Sequence, residues 1–248
     1  MAFDTTTLDA PFAALAAYDY GGDATSFKTI DAAVVAAHGD AALVADLEKR
    51  FTAILGAGSS RAAKEYACRK LSMIGTPAVV PAVAALLSDK DNSHMARFAL
   101  ERIPGPEAAA AIRGALGKVQ GDLVIGMLSS LANRRDAESV PLIAPLLAGD
   151  AKIAVAAAAA LGRIASPAAA DALAAAKPAA GPVADAIADA RIAAADALLA
   201  AGDRTTALSI YEAIAAQTGD APTTRRQRAL RMAARGGAFA ALDGTVTP

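Results

Sequence analysis

Tryptophan is absent from this 248-residue chain, cysteine occurs once, histidine twice, and the aromatic total is four tyrosines and six phenylalanines. With Cys68 alone there is no internal disulfide and no cysteine-rich zinc site. With only His38 and His94 there is no H-E-x-x-H helix or comparable spacing, so neither a metal ligand set nor a cofactor is expected. Few rings means few platforms for stacking nucleic-acid bases. The most apolar stretch, Ile153 to Leu161, is mostly alanine and falls far short of the ~20 residues a bilayer span needs, so no membrane association is expected. The opening MAFDTTTLDA has no basic segment followed by an apolar core. It therefore does not read as a signal peptide, and a cytoplasmic location is expected. Net charge is nearly nil, 24 basic against 25 acidic side chains.

What the chain has in quantity is alanine, 72 residues, within a hydrophobic share of 55%. Alanine is the best helix former and a weak strand residue, so the composition predicts an all-α protein of closely packed helices. The length suffices to bury a core without disulfides or metal.

The chain repeats itself. From Ala67, apolar or special residues stand at Leu71, Ile74, Pro77, Val80, Val83, Leu86 and Leu87. The same offsets from Ala96 give Leu100, Ile103, Pro106, Ala109, Ile112, Ala115 and Leu116. From Met127 they give Leu131, Arg134, Ala137, Val140, Ile143, Leu146 and Leu147, and from Ala157 they give Leu161, Ile164, Pro167, Ala170, Leu173 and Ala176. Successive starts are 29, 31 and 30 residues apart. Each unit reads as a helix, a short turn, and a second helix opened by proline, where the missing N–H costs little. Gly75, Gly117 and Gly149 supply stops, while Asp91, Asp122 and Asp150 stand just before the next helices, placed to cap them or to complement their positive ends. One helical pair cannot bury both of its apolar stripes; stacked pairs can.

Two segments, LSMIGTPAVVPAVAALLSDKD and AAAALGRIASPAAADAL, resemble HEAT repeats of the short, roughly 30-residue type associated with phycobilisome lyases. The resemblance covers about residues 66–176 and implies an α-solenoid, a right-handed superhelical array of antiparallel helix pairs. The helices ending in MIG, RIP and RIA would line its inner surface. The family is diverse in function, holding scaffolds, adaptors, transport factors, a few chromophore lyases and a branch of DNA glycosylases. The last rely on aromatic residues and a carboxylate around a flipped base, and the chain has no tryptophan to offer.

Around residues 65–176 the pattern remains helical. Residues 1–64 read as an N-terminal extension or capping repeats with helices at Leu8 to Ala17, Phe27 to Ala37 and Ala41 to Leu55. Residues 177–248 read as further helical repeats after the small-residue linker AAKPAAGP, with helices at Ala184 to Ala201, Thr205 to Gln217 and Thr223 to Ala234. ADALLAAGDRTTALSIYEAIAAQTGD has the spacing of a tetratricopeptide-like hairpin.

Charge is unevenly spread, net −5 over residues 1–60, +5 over 61–135 and −1 over 136–248. On the first helix of each unit, offsets 2 and 6 lie opposite the core stripe. They carry Arg69 and Met73, Phe98 and Arg102, Ser129 and Asn133, and Ala159 and Arg163. Arginine's planar fork suits carboxylates and phosphates. A second basic cluster, Arg225, Arg228, Arg231 and Arg235, recurs at helical spacing. Cys68, on the packing stripe, reads as buried filler and GAGSS as a helix stop followed by an N-cap. No catalytic constellation stands out. The sequence thus predicts a non-catalytic scaffold, not an enzyme, that binds a protein with an acidic surface. Its contact residues would be Arg69, Phe98, Arg102, Asn133 and Arg163 and the C-terminal arginines. Nucleic-acid binding by the same basic residues is the alternative.

Overall fold

The computed structural model describes residues 3–56, 58–178 and 180–216, together with Met232 and Arg235. All regular structure among the described residues is helical. In chain order the α-helices are α1 (Asp9–Ala16), α2 (Phe27–Ala36), α3 (Ala41–Ile54), α4 (Arg61–Ile74), α5 (Val80–Ala84), α6 (Ser93–Leu100) and α7 (Pro106–Leu116). They continue with α8 (Asp122–Asn133), α9 (Val140–Ile143), α10 (Ala151–Ile164), α11 (Pro167–Ala175), α12 (Pro182–Ala200) and α13 (Arg204–Ala215). The chain divides into two compact units, Met1–Ser130 and Leu131–Pro248.

Local chemistry sets the helix starts. Asp40 Oδ1 accepts from the backbone N–H groups of Ala42 and Leu43 at 3.1 and 3.0 Å, and Ser60 Oγ accepts from Ala63 at 3.0 Å. Asp150, Ser166 and Asp203 do the same for α10, α11 and α13. Each satisfies a donor that the first turn leaves without an intrahelical partner. Asp91 does not cap: Asp89 accepts from its N–H instead, and α6 starts at Asn92 without a side-chain cap.

The repeat register is visible in the burial. Ala67, Ala96, Met127 and Ala157 are buried, as are Leu71, Leu100, Leu131 and Leu161 four residues on, and Val80, Ala109, Val140 and Ala170 on the second helices. The residues that open those second helices, Pro77, Pro106, Ala137 and Pro167, are all exposed. Two of the second helices depart from the expected single rod. After Thr76 a 3-10 turn at Pro77–Val79 leads into the five-residue α5, and α9 is followed by a second 3-10 stretch at Ala144–Ala148. Additional prolines, Pro81, Pro141 and Pro145, withhold the N–H groups that a longer α-helical ladder needs.

In the first unit α4 packs on α6 and α5 on α7, so first helices stack with first helices and second with second. Five of the chain's ten aromatic residues meet in ring contacts at its N-terminal end. Phe12 meets Phe51 edge-on with centroids 5.0 Å apart, Tyr18 meets Phe27 at 5.0 Å, and Tyr66 of α4 lies 4.9 Å from Phe27. Tyr66 also donates to Asp31 Oδ1 at 2.5 Å, and Lys70 reaches the same carboxylate at 2.7 Å. Buried Glu48 of α3 accepts from the Thr76 N–H at 2.5 Å. The N-terminal helices are thereby fastened to the first repeat helix.

In the second unit α10 packs on α11 and, most extensively, on α12, while α12 and α13 form a hairpin. Tyr211 of α13 is fully buried and donates to Asp196 of α12 at 2.6 Å. With Ile192, Ala195, Leu198, Ala207 and Ile214 it forms a core against which Met232 also packs.

Candidate functional site

The expected contact residues sit where the register puts them, on the exposed side of the first helices. Met73, Arg102, Asn133 and Arg163, one per repeat at offset 6, are all exposed. Arg69, Phe98 and Arg102 belong to the first unit, Asn133 and Arg163 to the second. Of the C-terminal arginines, Arg235 is exposed and helical, while Arg225, Arg228 and Arg231 lie outside the described residues.

The first-unit face is built on the packed pair α4 and α6. Arg69 pairs with Glu65 one turn back at 2.6 Å, and Glu65 in turn accepts from the Tyr20 hydroxyl. That tyrosine hydrogen bond, followed by the charge of Arg69, holds the Glu65 carboxyl below the usual carboxylate range. The guanidinium of Arg102 lies 3.8 Å from the centroid of the Phe98 ring and donates to the Phe98 carbonyl at 3.0 Å. Stacking fixes the fork while leaving it open to solvent. Met73, 66% exposed, adds a flexible apolar side chain to the same face.

Arg97, which the register sets beside the exposed row, turns inward instead. It lies at offset 1, between the exposed and buried sides of α6, and crosses to the next repeat. There it donates to the Gly126 carbonyl at 3.0 Å and the Ser130 hydroxyl at 3.3 Å, while Ser130 donates to Glu101 at 2.7 Å. A Cβ on residue 126 would lie 2.7 Å from the guanidinium carbon, so the glycine makes the seat. Burial lowers the Arg97 pKa, partly opposed by Glu101. The sequence signal for this seat is Gly126 inside a helical pattern. Cys68 is fully buried, and burial pushes its thiol up to about 12, which makes it unreactive.

The second-unit face carries a groove of about 510 Å³ between α10 and α12. Val155, Ala159, Ala193 and Ala197 line it, with Arg135 and Arg163 at its edge. Beneath it the two helices nearly touch, since a Cβ on Gly162 would lie 2.8 Å from the Ala190 carbonyl oxygen. Among the described residues no group of three His, Cys, Asp or Glu side chains is placed to hold a metal, and no helix is long and apolar enough to cross a membrane.

No family model matches the chain and no curated protein matches it. Among solved structures it is similar to human deoxyhypusine hydroxylase in complex with glycerol. The two share 17% identity at a TM-score of 0.39, over 93% of this chain and 96% of that one. At that identity and score the likeness says nothing of this chain's substrate or partners. The neighbour is by its title a hydroxylase, and the expectation that this chain is not an enzyme is withdrawn. The physical reason is that a helical-repeat frame can bring together reactive groups from separate helices, with no short motif in the sequence to announce them.

Proposed function

We propose that the chain is a helical-repeat protein that recognises an acidic surface of a partner protein, and that the exposed face of α4 and α6 is where it does so. The observation that supports this most is the Phe98 and Arg102 stack beside exposed Met73. Arginine, aromatic rings and methionine are the side chains enriched in interface cores. Asn133, at the equivalent position of its own repeat, and the C-terminal arginine set Arg225, Arg228, Arg231 and Arg235 are proposed as further contacts, each on its own element.

The test uses a triple variant, Arg69→Glu, Phe98→Ala and Arg102→Glu, against the wild-type chain as bait in source lysate, with captured proteins identified by mass spectrometry. The expected result is an acidic-surfaced protein held by the wild type at ~200 mM salt and lost by the variant at unchanged melting temperature. A gel shift with nucleic acid that collapses between ~50 and ~200 mM salt, with no protein captured, would favour counterion release from phosphates and overturn the proposal.

A further inference from the structure

The groove between α10 and α12 of the second unit is separate from the α4 and α6 face, and the side chains around it restrict what it can hold. Its apolar walls are alanines, Gly162 and Val155, with no bulky apolar side chain over it among the described residues, so it is a trough open to solvent. A small ligand needs most of its surface buried, which such a trough does not provide. A segment laid along it needs only one face covered. Among the described residues there is no strand, so no sheet edge exists to satisfy the backbone of an extended segment. An occupant must therefore satisfy its own N–H and C=O groups, which a helix does.

Charge completes the restriction. The guanidinium groups of Arg135 and Arg163 line the groove and have no ion pair or hydrogen bond with the described residues, whereas Asp189, the remaining charged group there, is not free. Arg135 also holds a left-handed backbone, φ 51°, a conformation unfavourable to a side-chain-bearing residue. Two unpaired guanidinium groups beside an apolar trough call for carboxylates on the occupant.

We propose that this groove seats a short amphipathic helix of a partner protein, its apolar stripe on the alanine walls and an Asp or Glu beside that stripe against Arg135 and Arg163. The close approach of Gly162 and Ala190 keeps the two walls at a fixed spacing, so the seat is formed before the partner arrives and little ordering is needed on this side.

The probe is a phage-displayed library of random 16-residue peptides, selected on the full chain and counter-selected on the Ala193→Trp variant. Ala193 is exposed in the groove wall, so the indole fills the trough without entering the core. The expected enriched peptides carry apolar residues at i, i+3 or i+4, and i+7 with an acidic residue alongside. Their fluorescein-labelled synthetic forms should bind about tenfold or more weakly to Arg163→Glu and to Arg135→Glu. Binding to Arg102→Glu should be unchanged, which separates this site from the α4 and α6 face. Should Ala193→Trp fail to melt like the wild type, Ala159→Trp on the opposite wall replaces it. Enrichment of acid-free or basic peptides, or none beyond that on the filled variant, overturns the proposal. So does displacement by dodecanoate of a peptide that shows no charge preference, which would make the groove a lipid site. A dimer in sedimentation that dissolves on filling the groove would instead assign it to a second copy, with the same consequence.

Discussion

Two glycines in helix interiors should respond in opposite directions to the same substitution. Gly114 in α7 faces open space, since a Cβ built there meets nothing within 4 Å. Replacing it by alanine removes backbone freedom from the unfolded chain and should stabilise the protein by ~0.5–1 kcal/mol. Gly162 in α10 starts with the same intrinsic gain. There, however, a Cβ would lie 2.8 Å from the Ala190 carbonyl oxygen, 2.9 Å from its Cα and 3.0 Å from its Cβ. Two of those three atoms are backbone, so the clash is relieved only if α12 retreats as a body. Over-packing of this kind costs ~1–3 kcal/mol, which cancels or exceeds the gain. The variants should therefore differ by ~1–3 kcal/mol, or several degrees in Tm for a chain this long. Urea unfolding followed by far-ultraviolet circular dichroism measures it. Equal stabilisation by Gly162→Ala and Gly114→Ala would refute the close approach of α10 and α12.

Leu100→Ala and Leu161→Ala remove fully buried side chains at the same repeat position and should each cost ~2–5 kcal/mol; a loss under ~1 kcal/mol in urea melts would mean the register is misplaced. Ala165 closes α10 in the left-handed conformation at φ 51°, so Ala165→Gly should raise stability by ~0.5–1 kcal/mol, and a lower Tm would contradict that geometry. Cys68 should ignore a disulfide reagent at pH 8 until the protein unfolds; immediate stoichiometric labelling of the native chain would show that α4 is not packed as described. Because its folded pKa, about 12, lies above the ordinary 9.0, the unfolded chain releases the proton first. The contribution of this thiol is complete below pH 9 and declines as pH climbs toward 12, and Cys68→Ser should remove that part of the alkaline slope in urea midpoints measured across the window.

The apolar positions of each repeat could be read directly because leucine, isoleucine and valine mark a stripe. The positions that escaped notice are those where the buried residue is small or polar. Ala158 at offset 1, Ala99, Ser130 and Ala160 at offset 3, and Ala108, Ser139 and Ala169 at offset 12 are all buried. In a chain this rich in alanine, burial and exposure can carry the same letter. Proline announced where second helices begin, yet its second copies, Pro81 and Pro145, broke helices that the stripe alone made continuous. The exposed row followed from helical geometry, whereas the groove did not, because its walls come from helices α10 and α12 whose meeting at Gly162 and Ala190 is a long-range event with no local period. The non-catalytic expectation is withdrawn for a related reason: groups brought together from separate helices leave no contiguous motif.

The reach of Arg97 into the next repeat gives these units an order. Its seat needs glycine one position before the next unit begins and a hydroxyl at offset 3, and among the four units only the one starting at Met127 supplies Gly126 and Ser130 together. Where the other units begin, those places hold Tyr66 and Lys70, Met95 and Ala99, and Ala156 and Ala160. Excising residues 126–155 would keep the helical period and bring Ala156 and Ala160 opposite Arg97, with a methyl group where the guanidinium lies and nothing to accept its proton. Similar as the repeats look, they are not exchangeable modules: shuffling or shortening the array by whole units would strand a half-buried cation at this joint.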